Sequence, residues 1–257
     1  MSAIGHDFQP LDAAIRLYRD GQVEEALEEA VRLARDGDFE AARVAASWLL
    51  TLGRTSAAAD LVAPLARLGD PPALLLLARV HVAEGIAEPA TAEDHWREAH
   101  ELLLRAGKST HPGASAAAMV ERGNLYEHQG DTAQARGWWE QAAVSGDAEA
   151  ARQAMFRLGV LLDRLGMLDA ARFWWEQAAA GGDADIAPQA MYRLGDLSYR
   201  LGETGLARSW WEQAAASGHA DIAPRARHQL SVPSADDPPT SGDGRTRPPD
   251  LIVANRP

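Results

Sequence analysis

The chain of 257 residues carries 25 basic and 37 acidic side chains, a formal net charge of −12, and no cysteine. The missing thiols exclude a disulfide framework and cysteine chemistry, and the acidic balance argues against a long phosphate track as ligand, so nucleic acid is not an expected partner. No stretch approaches the ~18 consecutive apolar residues of a membrane span, and Met1 to Asp7 lack a basic segment followed by an apolar one, so no membrane contact and a cytoplasmic protein are expected.

Residues 1–9 read as a flexible N-terminus, and residues 10–107 as degenerate helical repeats. Leu11 to Arg19 and Val23 to Ala34 have helical apolar spacing, punctuated by Gly21 and Gly37. The next pair runs from about Phe39 to Leu52 and from Ser56 to Leu68, punctuated by Gly53 and Gly69. A third pair starts at Pro71-Pro72, where proline suits a first helical turn. Its first helix is expected to stop at about Glu84 and Gly85. Its second, delayed by Glu88-Pro89-Ala90-Thr91, carries Trp96-Arg97-Glu98-Ala99. Residues 107–113 form the longest break and read as a possible hinge.

Residues 112–230 are far more regular. Trp138-Trp139-Glu140-Gln141-Ala142-Ala143 returns at Trp174 and again at Trp210, a period of 36 residues. Arg136, Arg172 and Arg208 keep the same period, as do Met119, Met155 and Met191, and Gly123, Gly159 and Gly195. A fixed period of this size marks stacked units that bury their apolar faces on one another. Within one unit, Ala135, Trp138, Trp139, Ala142 and Ala143 make the i, i+3, i+4, i+7, i+8 stripe of one helix, and Ala151, Met155, Leu158, Leu162 and Leu165 that of another. The glycine in the first helix, costing ~1 kcal/mol against alanine, implies close helix approach with a Trp beside it. The pairs Trp138 and Trp139, Trp174 and Trp175, and Trp210 and Trp211 are read as structural core on this regularity, since a functional aromatic rarely needs copying at every period. A last helix at about Ile222 to Leu230 starts a unit without completing it and reads as a cap. Residues 231–257, with 6 of the 14 prolines, read as a disordered tail.

The run Leu158-Gly159, Ala171, Trp175 and Ala178 resembles the tetratricopeptide repeat, and the segment 171–183 is similar to the Sel1-like subclass. The unit is 36 residues rather than 34, and Leu165-Gly166-Met167-Leu168 stands where Sel1-like units have a Gly-x-Gly-Val turn. The resemblance implies an all-α fold: a right-handed α-solenoid of antiparallel helix pairs with a capping helix. It also implies a concave wall lined by the first helix of each pair. The offsets fall at Asn124, Glu127 and His128; at Phe156, Asp163 and Arg164; and at Tyr192, Asp196, Tyr199 and Arg200. Val120, Gln153 and Gln189 lie on the same row. Asn124 and Arg193 match two offsets of the carboxylate-gripping set found in some such domains, whereas Val120, Arg157 and Gln189 do not supply the others.

No nucleophile elbow, phosphate-binding glycine loop or His-Glu-x-x-His run occurs. His95 and His100 are five apart, off a shared helix face, and His81 is distant, so the histidines read as solvated or core rather than as metal ligands. No cofactor, no metal and no catalysis are expected. The expected function is a protein-interaction scaffold that holds a protein or peptide segment in its concave groove. The alternative is a homodimer or other self-assembly formed through Ala- and Leu-rich faces around Ala73 to Val82.

Overall fold

In a computed structural model, residues 10–111 and 113–231 are described; the expected loose N-terminus lies outside them, as does the proline-rich tail apart from Ser231. Thirteen helices and no strand occur among the described residues. The first six are α1 (Pro10–Arg19), α2 (Val23–Arg35), α3 (Phe39–Thr51), α4 (Thr55–Arg67), α5 (Pro71–Ala87) and α6 (Ala92–Gly107). The next four are α7 (Ala114–His128), α8 (Thr132–Ala143), α9 (Ala148–Arg164) and α10 (Leu168–Ala180). The array ends with α11 (Ile186–Arg200), α12 (Thr204–Ala216) and α13 (Ile222–Ser231).

The punctuation between units has a local cause. Gly146 and Gly182 take φ of +84° and +64°, left-handed values that end the preceding helix cheaply only for glycine. The next residue then caps the following helix. The Asp147 carboxylate accepts from the Ala150 N–H at 2.8 Å, and that of Asp183 from the N–H groups of Asp185 and Ile186 at 2.9 Å. His219 does the same with its ring: Nδ1 accepts from Asp221 at 3.2 Å and Ile222 at 3.3 Å. Three residues one period apart thus perform one task with two kinds of side chain.

Each helix packs on the next, and the odd-numbered helices also touch one another, α3 on α5, α5 on α7, α7 on α9, α9 on α11 and α11 on α13. The odd helices therefore form the closer, inner layer of a solenoid and the even helices the outer one. In each regular pair the second Trp is buried against the inner-helix glycine. A Cβ placed on Gly123, Gly159 or Gly195 would lie within 2.3–2.4 Å of the indoles of Trp139, Trp175 and Trp211. The absent side chain is what admits the ring. The three indoles nevertheless differ: Trp139 Nε1 donates to the Val120 carbonyl and Trp211 Nε1 to Asp196 Oδ1, both at 3.2 Å, while Trp175 Nε1 has no partner. Trp138, Trp174 and Trp210 are half-buried, and Trp138 lies under the Arg122 guanidinium, 4.5 Å from its ring centroid. Trp138 also borders a shallow hollow with Leu104 and Gly107 of α6, on the side of the preceding unit.

One expectation changes. Gly85 does not end α5, which continues to Ala87; a Cβ there would sit 2.8 Å from Trp96 Nε1, so this glycine allows α6 to approach rather than stopping a helix. The two hydrophobic cores adjoin across α7, the helix that follows the break at 107–113. Helix α7 contributes Ala118 and Leu125 to the N-terminal core and Ala116 and Val120 to the C-terminal one. At the far end, α13 covers α11 and α12 with Ile222, Ala223 and Ala226, as a terminal cap should.

Candidate functional site

The inner layer encloses an open groove of about 470 Å³. Helix α5 supplies Arg79, Val82 and Ile86; α7 supplies Val120, Glu121, Asn124, Glu127 and His128; α9 supplies Gln153, Phe156 and Arg157; and α11 supplies Ile186 and Gln189. Four of the ten expected wall residues, Asn124, Glu127, His128 and Phe156, meet here. Arg79 and Glu121, both on this wall, form a loose ion pair at 3.9 Å. Asn124 donates to Glu121 Oε2 at 3.0 Å through Nδ2, while its Oδ1 is buried without a partner.

The other six expected residues lie outside this groove. Arg164 of α9 pairs with Glu127 of α7, and Arg200 of α11 pairs with Asp163 of α9, each across 37 residues. Glu127 and Asp163 are one period apart, as are Arg164 and Arg200, so these side chains form a ladder that ties successive inner helices together. Tyr192, one period after Phe156, makes a different link between inner helices, its hydroxyl accepting from Gln229 Nε2 of α13 at 3.3 Å. Asp196 is held by Trp211, and burial pushes its carboxyl above the usual range against the pull of that hydrogen bond and of Arg193 and Arg200. Tyr199 stands exposed, tilted against Trp211 at 5.7 Å between centroids. Ladder partners at i+37 fall on no single-helix spacing, which is why the sequence offered these residues as wall rather than as staples.

In the run Ala73 to Val82, on which the alternative of self-pairing rests, Ala73, Leu74, Ala78 and Val80 are at most 2% exposed, while Leu75, Leu76, Leu77 and Val82 are half-buried. Sequence reasoning also kept His81 and His95 apart, and the structure corrects this. Their Nδ1 atoms are 3.3 Å from each other, and Glu84 Oε2 is 3.5 Å from His81 Nδ1 and 3.3 Å from His95 Nδ1. Burial is the main influence lowering the His81 pKa, partly opposed by Glu84. The signal available in sequence was the repeated His-x-x-Glu of His81 to Glu84 and His95 to Glu98, one helical turn each.

No family model matches this sequence, and no curated protein matches it. Solved structures do. A thermophilic TPR protein of Thermus thermophilus superposes with a TM-score of 0.59 at 23% identity, covering 77% of this chain and 97% of that one. The human IFIT1 dimer with PPP-AAAA gives a TM-score of 0.60 at 15% identity over 87% of this chain, which spans only 54% of that longer protein. PilW, described as a widely conserved type IV pilus biogenesis factor, gives 0.51 at 14% identity over 85% of this chain and 96% of its own. The fold is that of a tetratricopeptide-repeat solenoid. No helix among the described residues is long and apolar enough to cross a membrane.

Proposed function

We propose that the chain is a non-catalytic scaffold that holds an extended or helical protein segment in the groove between α5, α7, α9 and α11. The observation that carries this reading is the open groove itself, whose wall sets the Asn124 amide and its Glu121 partner among apolar side chains of four inner helices. Such a groove suits an extended or helical segment, whose backbone donors and acceptors meet the polar side chains of the wall. Phe156 on the same wall offers an apolar anchor, and Arg79 and Arg157 offer charge on the rim, a mixture typical of protein recognition surfaces. The fold's likeness to a TPR protein supports the same reading, and the net charge of −12 weighs against a nucleic-acid partner.

A photo-reactive phenylalanine analogue placed at Phe156 tests it, with the same analogue at Phe173 as control. Phe173 is 52% exposed on the outer helix α10. Cross-linking in native lysate is expected to join position 156, and not 173, to a discrete protein, and Asn124→Ala is expected to weaken the product severalfold. Equal products at both positions, or none at 156, would refute the groove as the working surface.

A further inference from the structure

We infer that His81, Glu84 and His95 form a tetrahedral site for a divalent transition-metal ion, zinc foremost, that clasps α5 to α6. The three ligand atoms are separated by 3.3, 3.3 and 3.5 Å. Tetrahedral zinc, with bonds of about 2.0–2.1 Å to imidazole nitrogen and about 2.0–2.2 Å to carboxylate oxygen, sets its ligands about 3.3–3.5 Å apart. An octahedral ion with bonds of about 2.1 Å, such as magnesium, needs them about 3.0 Å apart and takes oxygen ligands. As hydrogen bonds the same three contacts are poor, all of them longer than the usual ~2.7–3.2 Å. The triangle thus fits a shared ion better than it fits a set of direct bonds.

The chemistry of the donors points the same way. With no cysteine in the chain the set is two imidazoles and one carboxylate, the borderline nitrogen and oxygen mixture that suits zinc. The arrangement is also held from outside. Trp96, adjacent to His95, packs where Gly85, adjacent to Glu84, leaves room, and this close approach fixes the register of α6 against α5. His81 and Glu84 lie one turn apart on α5, while the irregular link through Glu88 and Thr91 lets α6 present His95 to them. The side chains of His81, Glu84 and His95 are 24%, 28% and 25% exposed, so a fourth position faces solvent, where a water completes the tetrahedron. Exposed Glu98, one turn beyond His95, adds negative charge beside the site. The site uses the α6-facing side of α5 and so stands or falls independently of the groove.

Full-length protein with its purification tag removed, stripped with a chelator and dialysed, is titrated with zinc against a colorimetric chelator and then with cobalt. One zinc per chain and the intense visible bands of tetrahedral cobalt are expected. His81→Gln, His95→Gln and Glu84→Gln should each weaken binding at least about 10-fold, while His100→Gln leaves it unchanged. Far-UV circular dichroism identifies any variant that has lost its helices, and the near-isosteric Glu84→Gln then decides. No zinc uptake by the wild type, uptake unaffected by the ligand variants, or the weak bands of octahedral cobalt would overturn the assignment.

Discussion

Gly159→Ala sets two opposed effects against each other. Alanine is better than glycine in a helix interior by ~1 kcal/mol, and that gain is available wherever space allows. At Gly159 space does not allow it: the new methyl would lie 2.4 Å from Cδ1 and Nε1 of Trp175 and 2.8 Å from Cε2. Ordinary contact begins near 3.4 Å, so the indole or the helix must retreat by about 1 Å. Trp175 is 1% exposed and has nowhere to go. Overpacking of this kind costs ~1–3 kcal/mol, at the upper end here, which leaves a net loss of about 1–2 kcal/mol after the propensity gain. The midpoint of thermal unfolding should fall by roughly 2–8 °C. Gly137→Ala in α8 is the matched control, since a Cβ there meets nothing within 4 Å, and it should raise stability by up to about 1 kcal/mol. Calorimetry and circular dichroism on both variants, and on Gly159→Ala combined with Trp175→Leu, complete the test. Two changes of the same sign, or an alanine penalty that persists once the indole is gone, would refute the packing argument.

Other consequences can be measured in parallel. Arg164→Ala and Arg200→Ala should each cost less than about 1 kcal/mol in low salt, because these arginines are 56% and 51% exposed, and chemical denaturation in 1 M salt should erase the difference. Asp183→Ala should cost ~1 kcal/mol through the lost helix cap. Backbone hydrogen bonds from Ile186 and Asp185 hold the Asp183 pKa below its unfolded value, so its contribution is full above about pH 4 and is lost as pH falls through the folded pKa; the variant and wild type should converge in acid. Asp196 has the opposite sign. Burial raises its folded pKa, so ionisation opposes folding above that pKa and ceases to matter below about pH 4. Asp196→Asn keeps an acceptor for Trp211 and should gain up to about 1 kcal/mol at pH 7, a gain that closes on acidification.

The repeat itself was legible because its causes are local. Gly182 with Asp183 must end one helix and cap the next, and Gly159 with Trp175 must fit across one pair, so each constraint recurs at a fixed interval and can be read from spacing. Gly85 misled because the same residue type serves two needs, a left-handed turn and a close approach, and sequence shows only the missing side chain. The ladder of Glu127 with Arg164 and Asp163 with Arg200 joins different units, so its register depends on how the pairs stack. His81 and His95 escaped notice for a related reason: they face each other across an irregular link whose length no helical period predicts.

The three buried indoles lie one period apart, yet one donates to a carbonyl, one to a carboxylate and one to nothing. Indole emission shifts with the field its nitrogen feels, so near-identical units are spectroscopically distinguishable without any added label. Variants that keep only Trp139, Trp175 or Trp211 as the emitting ring turn the chain into a positional thermometer. In an array whose units touch only their neighbours, fraying can start at one end and advance unit by unit. The order in which the three emissions relax to that of solvated indole then reports from which end this solenoid comes apart.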